Sequence, residues 1–585
     1  MDSPAFPLLL LLLYCLDLFV YGSTEYDIVI GGGSLAGLSA AITLGNLTST
    51  SNNEQRRKLK IAYIDITDWP GGQLTASLVP PDFGAANENS VNLPASFVEL
   101  LLNVGSINEV WDTNPGECWV STKCFSAVPT TDYIMHLLES YSSNIDIYLN
   151  TVVKSVETEE GSNKITGIKA LQRKARKGDK DADVTGGYSR PFSESIQDWY
   201  DISPSKEFEK HVIDFTAKVF IEATEFGDIL TNAATSTGLK DDLVVSGFEM
   251  PQELSESYVS YCGQSSTFPF IVGVVGDDEG GYDGIRIVEG KNFADGEDND
   301  RPFSFGDYDW SDIWSYRRIH TGNDSDPDSL AGQLSNQNWN GGNDYLNGYL
   351  FLSMEDSMKE AESINGWYGG MNIKTLKDME DRSYGWFHYY VSQAEEDVQK
   401  MLSLNTSETM TEYGLSKMPY IRDTRRSKHG IGGFRLSYVH GLGLVSDDGT
   451  VSREYEDKVA IGSYNYLDMH LLNVSFDACP GIKAYPDYLT KSFDPLLPYY
   501  VPFRALTSQH IDNVVIPGKG MAQTFLANAG TRLHPTEWST GVAAGAAAYI
   551  MATENKSTSD IYKYDIRRLQ MILEKRLGSP LTWTF

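Results

Sequence analysis

Three consecutive glycines, Gly31, Gly32 and Gly33, followed by Ser34 and Gly37, form the stretch whose residue types and spacing most directly suit chemistry. Glycine lets the backbone turn tightly and approach a pyrophosphate, and the free N–H groups and dipole of a following helix hold phosphate oxygens. Two registers fit. Gly32-x-Ser34-x-x-Gly37 carries Ser in place of the middle Gly, whereas Gly31-x-Gly33-x-x-Ala36 keeps that Gly and ends in Ala. Asp65 follows a second apolar run, Lys60 to Ile64, and is placed to accept hydrogen bonds from ribose hydroxyls. The distance from Gly37 to Asp65 exceeds the usual twenty or so residues, and the polar insert Asn46 to Lys58 accounts for the excess as a surface loop.

A second set of candidates lies far along the chain. Arg422, Arg425, Arg426 and His429 fall in one run beside Gly430 to Gly433, with His388 and His470 elsewhere. An Arg cluster can clamp a carboxylate through two parallel hydrogen bonds. A His titrating near neutrality, here His429 or His470, can take the proton that accompanies hydride loss. The competing reading of each is structural, an Arg paired with nearby acids or a His satisfied in the core. No G-x-S-x-G, H-E-x-x-H or C-x-x-C occurs, so hydrolase, zincin and dithiol chemistry lack their usual signatures. The acidic loops Asp277 to Glu279 and Asp295 to Asp300 lack the spacing of a calcium loop, and no metal site is expected.

The elements that must position these residues follow from apolar patterning. Tyr26 to Ile30 is an apolar, β-branched strand, and Leu38, Ala41 and Leu44 recur on one face of the helix after the glycines. Further strands are expected at Ile145 to Leu149, Val152 to Val156, Ala217 to Ala223 and Asn513 to Ile516, with a helix over Thr131 to Ser142. His534-Pro535-Thr536-Glu537 opens a long Ala/Gly-rich helix with Pro near its first turn. The aromatic residues Trp310, Trp314, Trp339, Trp386, Tyr389 and Tyr390 suit either core packing or the wall of a flat pocket.

The chain has 585 residues, 41% of them hydrophobic, enough for two structural domains. Met1 to Gly22 is Leu-rich with a small residue at its end and reads as a secretory signal peptide, removed after Gly22, although no Lys or Arg precedes the apolar run and Asp17 interrupts it. An uncleaved anchor is the rival reading, but the stretch is short for a membrane span. The formal charge of −33 becomes −31 when Asp2 and Asp17 leave, which argues against nucleic acid or an anionic membrane as partner. Of the remaining cysteines, Cys118, Cys124, Cys262 and Cys479, the first two are the expected pair in an oxidising compartment. Sequons occur at Asn46, Asn323, Asn405, Asn473 and Asn555.

Strings distributed along the chain carry a resemblance: CWVS (Cys118 to Ser121), EATEFGD (Glu222 to Asp228), NWNGGNDY (Asn338 to Tyr345), PYIRDTRR (Pro419 to Arg426) and GKGMAQ…RLHPTEW near the C-terminus. On these the chain resembles an FAD-dependent oxidoreductase of the glutathione-reductase-like superfamily, from Tyr26 to about Ala548. The resemblance implies that the backbone near Val153 reads the adenine, that the turn ending in Asp228 closes over the pyrophosphate, that Gln73 lies beside the cofactor, and that Gly518 approaches the ribitol. Thr536 and Glu537, at the head of the C-terminal helix, would face the flavin pyrimidine edge, where the helix N-terminus favours the negative charge of reduction. Many relatives have an acidic residue after the last Gly, and this chain has Lys519.

The expectation is an α/β protein: a Rossmann-type FAD-binding domain, discontinuous, with an inserted α+β substrate domain. The divisions are 1–22 signal peptide, 24–160 first part of the FAD-binding domain, 161–208 hairpin and surface excursion, 209–237 second part, 238–504 substrate domain, and 505–585 third part with C-terminal helices. Only one strand–glycine turn–helix unit ends in a ribose acid, so FAD is expected without a second NAD(P) domain. The expected activity is that of a secreted oxidase taking hydride from a small organic substrate and passing electrons to molecular oxygen. The catalytic candidates are His429, His470 and Arg425. The alternatives are a monooxygenase, a dehydrogenase with another acceptor, or a flavin-binding protein without turnover.

Overall fold

The computed structural model describes residues 19–49, 58–83, 90–107, 115–121, 123–159, 161–176, 188–250, 252–274, 284–285, 302–322, 330–442, 451–473 and 496–585. The acidic loops at 277–279 and 295–300, the sequon at Asn323 and most of the expected signal peptide lie outside them.

A five-stranded parallel sheet is assembled from distant pieces of chain, in the order Val514–Val515, Val219–Glu222, Ile28–Gly31, Ile61–Ile64, Ile145–Tyr148. Its three central strands are buried at every position, which explains their unbroken apolar composition: both faces are covered. The period of two sorts their side chains between the covers. Ile28, Ile30, Ile61, Tyr63, Val219, Ile221 and Val515 pack with the helices Leu35–Ser49 and His534–Glu554. Val29, Ala62, Ile64, Phe220, Val514 and Ile516 pack instead with Val153, Ile168, Phe215, Ile229 and Leu230.

That second cover includes a four-stranded sheet ordered Phe19–Glu25, Phe208–Thr216, Ile165–Ala175, Thr151–Thr158. Its first strand runs parallel to Phe208–Thr216, and removal after Gly22 would take the first part of it. The segment expected as a hairpin and surface excursion contains the turn between Thr151–Thr158 and Ile165–Ala175. It also holds a helix, Phe192–Tyr200, whose Phe192, Ile196, Trp199 and Tyr200 are buried. Aromatic residues at helical spacing put that helix into the core rather than over the surface.

A separate five-stranded antiparallel sheet, ordered Gly284–Ile285, Leu402–Asn405, Phe270–Val274, Gln333–Gln337, Arg318–Thr321, shares a core with the helix Ile373–Ser392. The aromatic cluster belongs to that core. Trp310 stacks on Trp314 at 5.3 Å and on Tyr390 at 5.1 Å, and Trp386 lies 5.7 Å from Tyr389 and from Tyr390.

The C-terminal helix and the glycine-turn helix touch backbone to backbone. A Cβ on Gly541 would collide with Ser39 and with the Ala36 carbonyl, and Ser39 Oγ donates to the Trp538 carbonyl at 2.9 Å. This close approach sets the heads of the two helices side by side. Cys118 and Cys124 form a disulfide, and Cys262 is also disulfide-bonded. Among the described residues no helix is long and apolar enough to cross a membrane.

Candidate functional site

The glycine turn is built to let main chain meet main chain. Gly32 has φ of 101°, a conformation that favours glycine, and a Cβ there would strike the Ala223 carbonyl. A Cβ on Gly37 would strike the Gly32 carbonyl, and one on Gly33 would fall within the Asp65 carboxylate. Ser34 precedes the helix, and its Oγ accepts the Gly37 N–H at 3.2 Å, so the serine that departs from the glycine pattern caps the helix. Gly31 lies against Ile229 and Val153.

Asp65 is buried at the end of its strand, where Oδ1 accepts from Thr67 N at 2.8 Å and Thr67 Oγ1 at 3.1 Å, and Oδ2 from Tyr63 at 3.1 Å. Burial nonetheless pushes its carboxyl up to about 7. Asp228 differs in kind. Its two oxygens accept from Trp367 at 2.6 Å and Tyr200 at 2.9 Å, so the main chain of the EATEFGD turn abuts Gly32 while its last carboxylate is held by two aromatic donors.

Opposite the glycines, the turn Gly71-Gly72-Gln73 is tied to them by Gly71 N donating to the Gly33 carbonyl at 3.0 Å. Gln73 Nε2 donates to the Arg532 carbonyl at 3.2 Å and to Glu537. Lys519 sits fully buried between Glu225 at 3.0 Å and Glu537 at 3.3 Å. Burial pushes the Glu537 carboxyl up to about 7 despite the opposing pull of Lys519. Gly518, with φ of 66°, donates to Thr540 Oγ1 at 3.0 Å and lies between Ala36 and Glu537. Thr536 meets the Tyr499 hydroxyl at 2.8 Å. Two atoms of this group, Gln73 Oε1 and Glu225 Oε1, are buried without a hydrogen-bond partner. Buried polar atoms are rarely left so. Orphaned acceptors beside a glycine cradle and a ribose-type acid fit a polar cofactor that brings donors of its own and a phosphate bridge.

Beyond Gln73 lies a largely buried cluster of charged and phenolic groups, which we term the chamber. Arg532 donates to Tyr420 at 2.6 Å and to Asp468 at 2.6 Å. His470 bonds Asp468 through Nε2 at 2.9 Å and Asp344 through Nδ1 at 2.7 Å, and Asp344 pairs with Arg422 at 2.8 Å. Burial and Arg422 oppose protonation of His470, but the two carboxylates prevail and raise it, which favours the imidazolium. Asp344 is correspondingly low, at about 2, because Arg422 and His470 outweigh its burial. Arg317 pairs with Asp82 at 3.4 Å, and Tyr464 donates to the same carboxylate at 3.3 Å. His534 accepts the Asp82 N–H at Nδ1 and meets the Val79 carbonyl through Nε2, and burial lowers it to about 3.

The other sequence candidates lie apart from this chamber. Arg425 is buried and donates to the Phe226, Gly369 and Gly370 carbonyls and to Ser357, which makes it a strut between the EATEFGD turn and the aromatic region. His429 bonds Glu256 at 3.1 Å in a partly exposed group with Arg435 and Lys428. Asp82, Arg317, Tyr464 and Asp468 were not singled out by sequence reasoning, since each is an ordinary residue in its own stretch. Arg422 was in the candidate Arg cluster, and Arg532, His534, Tyr420 and Asp344 stand inside quoted strings, which is the signal that could have found them.

The family model described as FAD dependent oxidoreductase matches residues 27–185 and 204–573. No curated protein matches the chain. Among solved structures, the chain is similar to adenylylsulfate reductase from Archaeoglobus fulgidus, with 12% identity over 94% of this chain and 73% of that one and a TM-score of 0.32. It is similar to the E. coli quinol fumarate reductase subunit FrdA, with 11% identity over 95% and 75% and a TM-score of 0.28. It is also similar to THI4 from Thermovibrio ammonificans, with 13% identity over 40% and 75% and a TM-score of 0.23. At these scores the overlaps are too loose to align one site with another.

Proposed function

The chain belongs to the FAD dependent oxidoreductase family, and from that premise we propose an oxidase acting on a carbon that bears a hydroxyl or amino group. The enzyme class and the FAD cofactor follow from the family. FAD, when bound, supplies the acceptor for a hydride from that carbon and the route for the electron pair to O2, which leaves as H2O2.

In this reading the N–H groups of Gly33 and Ser34 and the head of the helix that follows face the pyrophosphate, Asp65 holds the ribose, and the main chain at Val153 meets the adenine. Asp228 stiffens the adjoining turn, and Gly518 lies by the ribitol. Gln73 and Glu225 face the flavin end with their orphaned oxygens, and Lys519, Thr536 and Glu537 line the same end. The observation that carries the proposal is Gln73, whose amide spans Glu537 in the cradle and the Arg532 carbonyl in the chamber, so a substrate in the chamber adjoins the cofactor. The chain's own groups then manage the proton. His470, favoured as an imidazolium between two carboxylates, is a positive charge rather than a base. Asp82, whose carboxyl burial raises, takes the substrate's hydroxyl or amine proton through Tyr464.

An oxidising compartment is supported by the Cys118–Cys124 disulfide, the bonded Cys262 and the Leu-rich N-terminus. Among the sequons, Asn555 is exposed, whereas Asn405 is buried and caps a short helix by accepting from Glu408 N, which leaves no room for a glycan on the folded chain. The test is anaerobic: a substrate that bleaches the yellow protein is sought among alcohols, amines and carboxylic acids, and air is then admitted. Prompt return of colour with one H2O2 per substrate supports the oxidase. Slow return in air, with immediate return on adding a quinone, replaces it with a dehydrogenase.

A further inference from the structure

We infer that Tyr63 is a positioning residue of the cofactor cradle: its hydroxyl orients the Asp65 carboxylate so that one acceptor position on Oδ2 stays open beside Gly33 for a ribose hydroxyl of FAD. The inference rests on the reading of Asp65 as the acid that holds the ribose. Asp65 directly follows the strand Ile61–Ile64, two residues after Tyr63, so the two side chains leave the main chain on the same side. Tyr63 is fully buried in the core shared with the helix Leu35–Ser49, and its hydroxyl donates to Asp65 Oδ2 at 3.1 Å. A phenylalanine would fill that core almost as well, so packing alone does not account for the hydroxyl.

An ionised carboxylate offers about four acceptor positions, two on each oxygen. Oδ1 uses both of its own. It accepts from Thr67 N at 2.8 Å and from the Thr67 hydroxyl at 3.1 Å, a hydroxyl that also reaches the Trp69 carbonyl at 3.1 Å. Among the described residues Oδ2 receives Tyr63 alone, which leaves one position open. That oxygen lies against the glycine turn, since a Cβ on Gly33 would come within 1.4 Å of it. The open acceptor and the phosphate-binding turn are therefore adjacent, the arrangement that an adenosine ribose requires. Without the Tyr63 hydroxyl, Oδ2 has no protein donor there and Thr67 alone steers the carboxylate.

The same hydroxyl bears on the charge of Asp65. Burial pushes the carboxyl up to about 7, and the hydrogen bonds from Thr67 and Tyr63 oppose that rise. Burial also holds the Tyr63 phenol well above its ordinary value, so it remains a donor through the neutral range. Three charged groups stand nearby. Asp68 raises Asp65 by its like charge, Lys417 pairs with Asp68 at 2.7 Å, and Arg173 donates to the Ile66 carbonyl at 2.7 Å. The helix Leu35–Ser49 carries no charged residue, and the strand Ile145–Tyr148 meets Asp65 through the Tyr148 carbonyl. With Oδ1 saturated, a proton on Asp65 falls on the open position of Oδ2, and the charge-assisted bond to the ribose is lost. FAD affinity should therefore rise with pH through about 7, and removal of the Tyr63 hydroxyl should move that rise to higher pH.

The test uses full-length protein purified with its FAD and diluted serially at pH 6 and at pH 8, with released cofactor read as free-flavin fluorescence. For wild type the dissociation constant is expected to be about tenfold higher at pH 6 than at pH 8. Tyr63→Phe should raise it about tenfold further at pH 6 and only about twofold at pH 8. A merely structural Tyr63 would weaken binding alike at both, and the melting temperature of each holoprotein reports the fold separately. In an Asp65→Asn background, Tyr63→Phe should act equally at the two pH values. Wild-type affinity in Tyr63→Phe, or an equal loss at pH 6 and pH 8, overturns the inference, and the ribose reading survives if Asp65→Asn alone weakens FAD. Wild-type affinity in Asp65→Asn overturns the ribose reading and this inference with it. Retention of FAD by every variant at every dilution overturns both.

Discussion

The cradle and the chamber meet at Gln73 but are made of opposite materials. The cradle is main chain: glycines without side chains, helix heads, and strands whose side chains are buried away from the site. The chamber is side chain: the cations Arg317, Arg422, Arg532 and His470 paired with the carboxylates of Asp82, Asp344 and Asp468, with phenols between them, delivered by segments from position 82 to position 534. A cofactor of fixed shape can be held by backbone geometry, which tolerates no added atoms. A substrate that must be oriented and deprotonated needs charged groups set to particular protonation states, and each of these depends on several neighbours.

That contrast can be broken most sharply from the cradle side. Gly32→Val places a β-branched side chain against the Ala223 carbonyl at a φ of 101°. The variant is expected to purify without visible flavin absorbance and to lose about 3 kcal/mol or more of stability. Yellow protein of wild-type melting temperature would show that the cradle does not need the bare backbone. Asp82→Asn, on the chamber side, should leave flavin content intact and lower kcat about a hundredfold, with the acid limb of the pH profile lost. A variant with wild-type kcat would remove Asp82 from proton transfer.

The smallest expected effect is electrostatic. Asp65 in the folded protein titrates at about 7, above its ordinary value. The folded apoprotein therefore binds a proton that the unfolded chain has released between about pH 4 and 7, so this group's contribution to stability is complete at low pH and is lost as pH rises through about 7. Thermal melts of apoprotein should fall by a few degrees from about pH 5 to 8, and Asp65→Asn should flatten part of that slope. Glu222, Glu380 and Glu537, also raised to about 7, and Asp228 and Asp423, raised to about 6, add to that slope. An unchanged slope would mean that the Asp65 carboxylate is better solvated than its burial indicates.

The same contrast decides what could be read in advance. The turn from Ile28 to Gly37 is contiguous, and each of its residues answers a local requirement: β-branched side chains for a strand covered on both faces, glycine where main chains touch, a cap at the helix head. Val514–Val515 falls within the strand expected at Asn513 to Ile516, and its place beside Val219–Glu222 comes from the tertiary structure. Phe192–Tyr200 was hidden within a charged stretch, because four buried side chains on one face of a short helix are a weak signal against their polar neighbours. His429 stood beside a run of arginines and looked chemical, yet it bonds a partly exposed Glu256.

His470 shows where local reading ends. Its protonation is set by Asp468, two residues before it, and by Asp344, 126 residues away, together with Arg422. Lys519 makes the same point in the cradle: as a residue it is only a departure from an acidic position, and its pairing with Glu225 and Glu537 exists because three chain segments converge there. Composition, periodicity and glycine spacing determined by themselves that this chain builds a parallel sheet with a dinucleotide turn, because those features obey steric rules that act within a few residues. Tertiary structure alone decided which ionisable groups face one another, because charge is shared across space, and neighbours in space are not neighbours along the chain.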